Sequence, residues 1–277
     1  MENDHAYCAA QVETLDSDRY VTALFAPATH RADLLTLYAF NLELARGREA
    51  VSEPALGLIR LQWWRDVIAE CYEGEPRRHQ VVQPLAAAIE RHDLPRHLFD
   101  RIIDAREVDF DPAPLASMED LVAYADATSG ALNLLALRIL GEEDHDLEKA
   151  AAAVGMAWAL TGTVRGLRHL LVTGRAPLPR DLMDKHGLTL AKLQSLRRSD
   201  ALCKTVEEIA SIALNNINDL RMKTGGLAKP VLLPAVLARG YLKRLAATGH
   251  DPFDERNMRP LPWRAWRLII PALAGRI

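Results

Sequence analysis

Apolar residues return every three or four positions along nearly all of this chain, and no alternating run of β-branched residues interrupts them. A period of 3.6 gathers such residues on one face of an α-helix, whereas a half-buried strand needs a period of two. The chain is therefore read as all-α. The spacing predicts helices over 6–14, 18–26, 30–48, 55–72, 81–92, 95–108, 117–140, 145–173, 200–222, 229–247 and 262–274. Gly and Pro fall between them at Gly74–Pro76, Asp111–Pro114, Gly141, Gly174–Pro179, Gly225–Gly226 and Asp251–Pro252, where they break the periodicity. Ser117 offers a hydroxyl cap, followed by Glu119 and Asp120 at the positive end of the helix it starts, and Pro95 suits a first turn.

No shift in composition divides the 277 residues, so one domain spanning 1–277 is expected, with 262–277 as a peripheral last helix. Hydrophobic residues at 49% and charged ones at 26% exclude a largely disordered chain. Net charge is −3 with both signs interspersed, which gives no electrostatic footprint for nucleic acid. Cys8, Cys71 and Cys203 match no metal or redox spacing and read as buried or semi-buried thiols in a reducing compartment. The opening MENDHAYCAAQVE is acidic and polar, unlike an export signal, and no apolar run approaches the roughly 20 residues of a membrane span. A cytoplasmic protein is expected.

Three segments call for separate weighing. The run WRAWRLIIPALAGRI, from Trp263 to Ile277, mixes Trp263, Trp266, Leu268, Ile269, Ile270 and Leu273 with Arg264, Arg267 and Arg276. That composition suits either a last helix packed on the bundle or contact with a membrane surface. Helix 145–173 is rich in Ala and Gly, including Gly155, Gly162 and Gly166, so neighbours can approach it closely, around a tight core or a cavity. Trp63 and Trp64 point about 100 degrees apart on a helix, so at most one sits centrally in the core.

The runs DRYVTALFAPATHRADLLTLYAFN, YADATSGALNLLALRILG and WALTGTVRGLRHLLVTGRAPLPRDLMDKHG resemble, in order and spacing, the first catalytic, middle and second catalytic helices of the squalene and phytoene synthases. LLPAVLARGYLKRLAATGHDPFD looks like that family's late helix and the turn after it. The resemblance spans roughly residues 17–254. It implies the isoprenoid synthase-type helical bundle, with a deep apolar cavity for prenyl tails or its remnant. It also implies two aspartate-rich motifs on facing helices, whose carboxylates hold magnesium against a diphosphate leaving group.

The matching positions here do not carry those carboxylates. The first motif, after YAF, reads Ala45, Arg46 and Glu49, and the second falls on Gly166 and Leu170. The serine-bearing segment that grips diphosphate reads Asp18, Arg19 and Tyr20, and the middle YxY pattern becomes Tyr124 and Asp126. Glu43 and Glu49 lie roughly 120 degrees apart on a helix and make a poor chelating pair. Glu49 and Glu53 have the right spacing, but Pro54 ends or bends the helix there. A magnesium site on Glu49 and Asp126 would have few ligands. Arg46, Arg48, Arg165, Arg168 and His169 stand where the family has anions. They can grip a phosphate or carboxylate directly, or, as the commoner outcome, Arg46 and Arg165 pair with Glu43, Glu49 or Asp104 across the bundle. The candidate cavity residues are thus Arg46, Glu49, Tyr124, Asp126, Arg165, Arg168 and His169, with no catalytic residue and no metal ligand assigned.

YAFNLELARGREAVSEPALGLIRLQWWRD is most similar to a branch of the family with degenerate aspartate motifs, whose members assist assembly of respiratory complex I. This resemblance implies a non-catalytic assembly or scaffold factor with a complex I subunit or assembly intermediate as partner and no cofactor. It would sit at the cytoplasmic face of an inner membrane, or in the mitochondrial matrix. The alternative is a divergent prenyl transferase acting on prenyl diphosphates with magnesium. A third reading is a protein that binds an isoprenoid lipid, its polar head held by the cationic mouth.

Overall fold

The computed structural model describes residues 2–51, 53–218 and 226–274. Its first half runs through α1 (Glu2–Leu15), α2 (Ser17–Ala23), α3 (Ala28–Ala45), α4 (Pro54–Glu73), α5 (Val82–His92), α6 (Arg96–Ala105), α7 (Met118–Ala125) and α8 (Ala131–Ile139). The second half comprises α9 (His145–Arg165), α10 (Leu167–Val172), α11 (Arg180–His186), α12 (Leu190–Gln194), α13 (Asp200–Asn218), α14 (Lys229–Leu232), α15 (Pro234–Ala247), α16 (Glu255–Met258) and α17 (Arg264–Ala274). No strand occurs among the described residues. Every helix that the apolar period predicts has a counterpart, although 219–222 lie outside the described residues. The three helices it misses, α11, α12 and α16, have seven, five and four residues, too few to display a period.

The other differences are breaks inside long periodic runs. The run 30–48 stops at Ala45 and turns through residues 46–50, where the amides of Gly47 and Glu49 donate to the Leu44 and Arg46 carbonyls. Run 117–140 is divided by a π-helical turn, Asp126–Gly130, an insertion that widens the helix locally. Run 145–173 breaks at Gly166, and Pro234, which has no N–H to give, separates α14 from α15. α4 begins at Pro54 and stops at Gly74, whose φ of 84° is one that glycine adopts without strain. The Ser117 capping box forms, its hydroxyl accepting from the Asp120 amide.

α9 is the central helix, packed by α7, the π-helical turn, α8, α13 and α15. Its small residues let backbone meet backbone. A Cβ added at Gly155 would lie 2.2 Å from the Ser129 carbonyl oxygen, and buried Asn133 ties α8 to α9 by donating to the Ala151 carbonyl at 2.9 Å. The first part of α9 thus sits in a tight core.

The interior between α3, α4 and α6 is filled by rings. Phe40 meets Trp64 and Phe99 edge-on at centroid separations of 5.2 and 5.4 Å, and burying each such side chain contributes about 1.5–3 kcal/mol. Trp64 is buried in this cluster while Trp63 lies half-buried at its rim, as their angular separation requires. Cys8, Cys71 and Cys203 are buried free thiols, and burial pushes Cys8 and Cys71 up to about 11.

α17 packs through Leu268 and Ala272 onto Leu233, Leu237, Tyr241 and Leu261. Arg264 fastens its start, donating to Asp18 and Ser17 of α2 at 2.7 and 2.9 Å. Residues 275–277, including Arg276 and Ile277, lie outside the described residues. No helix among the described residues is long and apolar enough to cross a membrane.

Candidate functional site

The ends of α3 and α9 bring the two motif positions face to face. α3 stops at Ala45, so Arg46 and Glu49 fall on the turn that follows, where the Arg46 Nε donates to Glu49 Oε2 at 3.1 Å. Gly166 ends α9 and lets α10 start at a new angle, carrying Arg168, His169 and Leu170. His169 Nε2 then lies 2.8 Å from Glu49 Oε1. Both oxygens of the one acidic residue among the first-motif positions are therefore occupied, one by the Arg46 guanidinium and one by the His169 ring. Burial pushes the Glu49 carboxyl up, but hydrogen bonds from His169 and Arg46, and their charges, outweigh it and hold the group below the usual carboxylate range.

The remaining acids are committed elsewhere. Glu43 is bound by Arg60, and Asp126, at the start of the π-helical turn, is bound by Arg101 of α6. Asp104 pairs with Arg65. No group of three or more His, Cys, Asp and Glu among the described residues could hold a metal ion. Magnesium asks for about six oxygen ligands and sheds its water reluctantly, so the residues present do not fit it. Glu49 and Asp126, weighed above as a pair of ligands, belong to separate ion pairs.

The expectation for Arg165 needs correction. It does not pair with Glu43, Glu49 or Asp104. Its guanidinium lies over the Tyr241 ring, 3.3 Å from the centroid, with Asp18 at 3.8 Å. Asp18 also accepts from the Tyr241 hydroxyl at 2.6 Å and from Arg264. Arg19 binds Asp16 and Ser129. The segment that in the family grips diphosphate thus fastens α2 to α9, α15 and α17. Its partners Tyr241 and Arg264 come from more than two hundred residues away, and no local spacing announces them.

Arg165, Gly166, Arg168 and His169 line an open groove of about 550 Å³ with Gly162, Val172 and Met258. Arg46 and Glu49 line a separate cavity of about 190 Å³ with Glu43 and Arg60.

Beside the groove lies a buried network, of which sequence reading found only Tyr124. Asp109 accepts from Arg106 at 3.3 Å, from the Tyr124 hydroxyl at 2.9 Å, and from Arg175. Arg106 also donates to Tyr124 at 2.8 Å and to Asn41 at 3.3 Å. Burial, with the Asp109 charge, pushes the Tyr124 hydroxyl up against the pull of the two guanidinium groups. The one local signal was Arg106 and Asp109, three residues apart.

A helical bundle with two motif-bearing ends brought together is the architecture of an isoprenoid synthase. The family model for squalene/phytoene synthase matches residues 12–267, and the chain belongs to that family. Among its relatives, the mouse (Mus musculus) protein named NADH dehydrogenase (ubiquinone) complex I, assembly factor 6 is 30% identical over 261 residues, covering 92% of this chain and 78% of its own. A phytoene synthase from Thermus thermophilus is 26% identical over 264 residues, covering 93% and 88% of the two chains. The structure superposes on a squalene synthase from Alicyclobacillus acidocaldarius with TM-score 0.77 at 20% identity, covering 90% and 95% of the two chains. A dehydrosqualene synthase gives TM-score 0.82 at 19% identity, covering 99% and 96%. These two likenesses establish the fold.

Proposed function

We infer that this protein is a non-catalytic member of the squalene/phytoene synthase family that assists assembly of respiratory complex I by binding one of its subunits or assembly intermediates. The observation that carries the reading is the Glu49–His169 hydrogen bond, which joins the two motif segments where an active synthase needs clustered acidic oxygens. A departing diphosphate needs divalent cations to take up its charge. The residues at the aspartate positions here, Ala45, Arg46, Gly166 and Leu170, supply none of the required side-chain oxygens. The relatives named as complex I assembly factor 6 support the partner, and the ring-filled core supports a protein ligand over a prenyl chain.

Two measurements test it. Purified protein incubated with farnesyl or geranylgeranyl diphosphate and magnesium should release no diphosphate, and clear turnover removes the reading in favour of a divergent prenyl transferase. Loss of the gene should lower assembled complex I while leaving carotenoids and hopanoids unchanged. The opposite phenotype would identify an enzyme.

A further inference from the structure

The groove at the end of α9 gathers more positive charge than the fold neutralises. Arg165, Arg168 and His169 line it, and among the described residues no acidic side chain does. Arg165 lies 3.8 Å from Asp18, a carboxylate that Arg264 and the Tyr241 hydroxyl hold more closely, at 2.7 and 2.6 Å. The His169 ring meets Glu49, which Arg46 also binds. The exposed Arg168 makes neither hydrogen bond nor ion pair with any described residue.

A further guanidinium adds to the excess from behind. Arg165 and Arg244 lie over the Tyr241 ring at 3.3 and 5.2 Å from its centroid, and both donate to the Asn257 carbonyl. The other acceptors of Arg244 are the Pro260 and Arg259 carbonyls, and its Nε is buried without a partner. Burial and the Arg165 charge push the Arg244 guanidinium down. The guanidinium groups of Arg46, Arg165, Arg168, Arg244 and Arg264 thus find only two carboxylates among them, those of Asp18 and Glu49, in a chain whose net charge is −3. Like charges crowded at a half-buried site repel one another, and an incoming anion relieves that repulsion.

The same groove narrows the kind of anion. Val172 and Met258, 69 and 41% exposed, line it beside the arginines, and a space of about 550 Å³ is more than a lone phosphate fills. A carboxylate needs no metal to meet a guanidinium, which holds it through two parallel hydrogen bonds. Clusters of arginine are a recurring way of recognising acidic peptide motifs.

We propose that this groove receives an acidic segment of a protein partner, with Asp or Glu carboxylates on Arg168 and Arg165 and a neighbouring apolar side chain against Val172 and Met258. The proposal rests on the assembly-factor reading and adds to it the chemistry of the segment recognised.

Fluorescence anisotropy of the full chain with a labelled peptide of alternating Glu and Leu tests the groove. The peptide should bind at low salt and be released as salt rises, and its Gln–Leu counterpart should bind at least roughly tenfold more weakly. Arg168 is exposed and holds nothing in the fold, so R168E should weaken the Glu peptide about tenfold and R168Q about threefold. R78E, which makes the same change of net charge between α4 and α5, should leave binding unaltered. No binding of the Glu peptide by the wild type overturns the proposal, as does equal binding by R168E or an equal loss in R78E. Displacement of the peptide by far lower concentrations of inorganic diphosphate also overturns it, in favour of a small-anion site. In cells lacking the gene, R168E should restore less assembled complex I than the wild type does. Full restoration overturns the groove alone, whereas complex I that is unchanged by loss of the gene overturns the assembly reading.

Discussion

Two charged clusters lie at the same end of the bundle and behave as opposites. In the Asp109 network, Asp109 is 3% and Arg106 7% exposed. In the pair joining the motif segments, the Glu49 and His169 side chains are 29 and 61% exposed. Burial pushes the Arg175 guanidinium down, and the neighbouring Tyr124 and Asp109, with Glu49 also contributing, push it up further. Ionic groups withdrawn from water survive only with every partner in place, whereas groups at the surface fall back on water when a partner leaves. The comparison teaches that the interior cluster depends on every one of its partners, while the pair at the rim is held lightly.

The largest expected effect breaks the interior cluster. Asp109→Ala leaves Arg106 and Arg175 facing each other without a carboxylate. A cost of about 3–5 kcal/mol follows, or a fall of roughly 10 °C in Tm. A fall of only a degree or two in calorimetry would show that water reaches these groups and that the contrast with the rim is false.

The next effect separates the two halves of α9. Gly155 and Gly162 read alike in the sequence, as small residues on one long periodic run, but their surroundings differ. A methyl group at Gly155 meets the Ser129 carbonyl, while one at Gly162 meets nothing within 4 Å. Gly155→Ala should cost about 1–3 kcal/mol by overpacking, and Gly162→Ala should gain about 0.5–1 kcal/mol through helix propensity. Chemical denaturation of both variants measures the pair, and costs of the same sign would mean that the groove end of α9 is as tightly packed as its start.

This difference also marks the limit of what was legible in the sequence. The apolar period gave each long helix because it reports which face is buried, and the motif order gave the bundle. The stopping points at Ala45 and Gly166 were missed, because both lie within runs whose apolar period continues past the break. Glu49 and His169 were both singled out, but not as a pair, since their contact spans 120 residues and exists only once α10 has turned at Gly166. Arg175 was read as part of a turn, and Asp109 had only its spacing to Arg106 to mark it. Ion pairs between distant segments leave no local pattern in a chain, which is also why the partners of Arg165 were misassigned.

The smallest effect tests the rim. Glu49 is held below its ordinary value of 4.5 by His169 and Arg46 against the opposing effect of burial. A carboxyl with a depressed folded pKa contributes stability that is fully present above its unfolded value and disappears as the pH falls through the folded one. Because the pair lies at a partly exposed rim, Glu49→Gln should cost only about 0.5 kcal/mol near neutrality. The difference from wild type should shrink once the pH drops below 4.5. Denaturation curves of both proteins across that range decide the matter. A cost of several kcal/mol, matching Asp109→Ala, would place Glu49 inside a buried network and make the closed mouth a structural necessity. A small cost leaves it a light latch, compatible with a segment that yields to a protein partner.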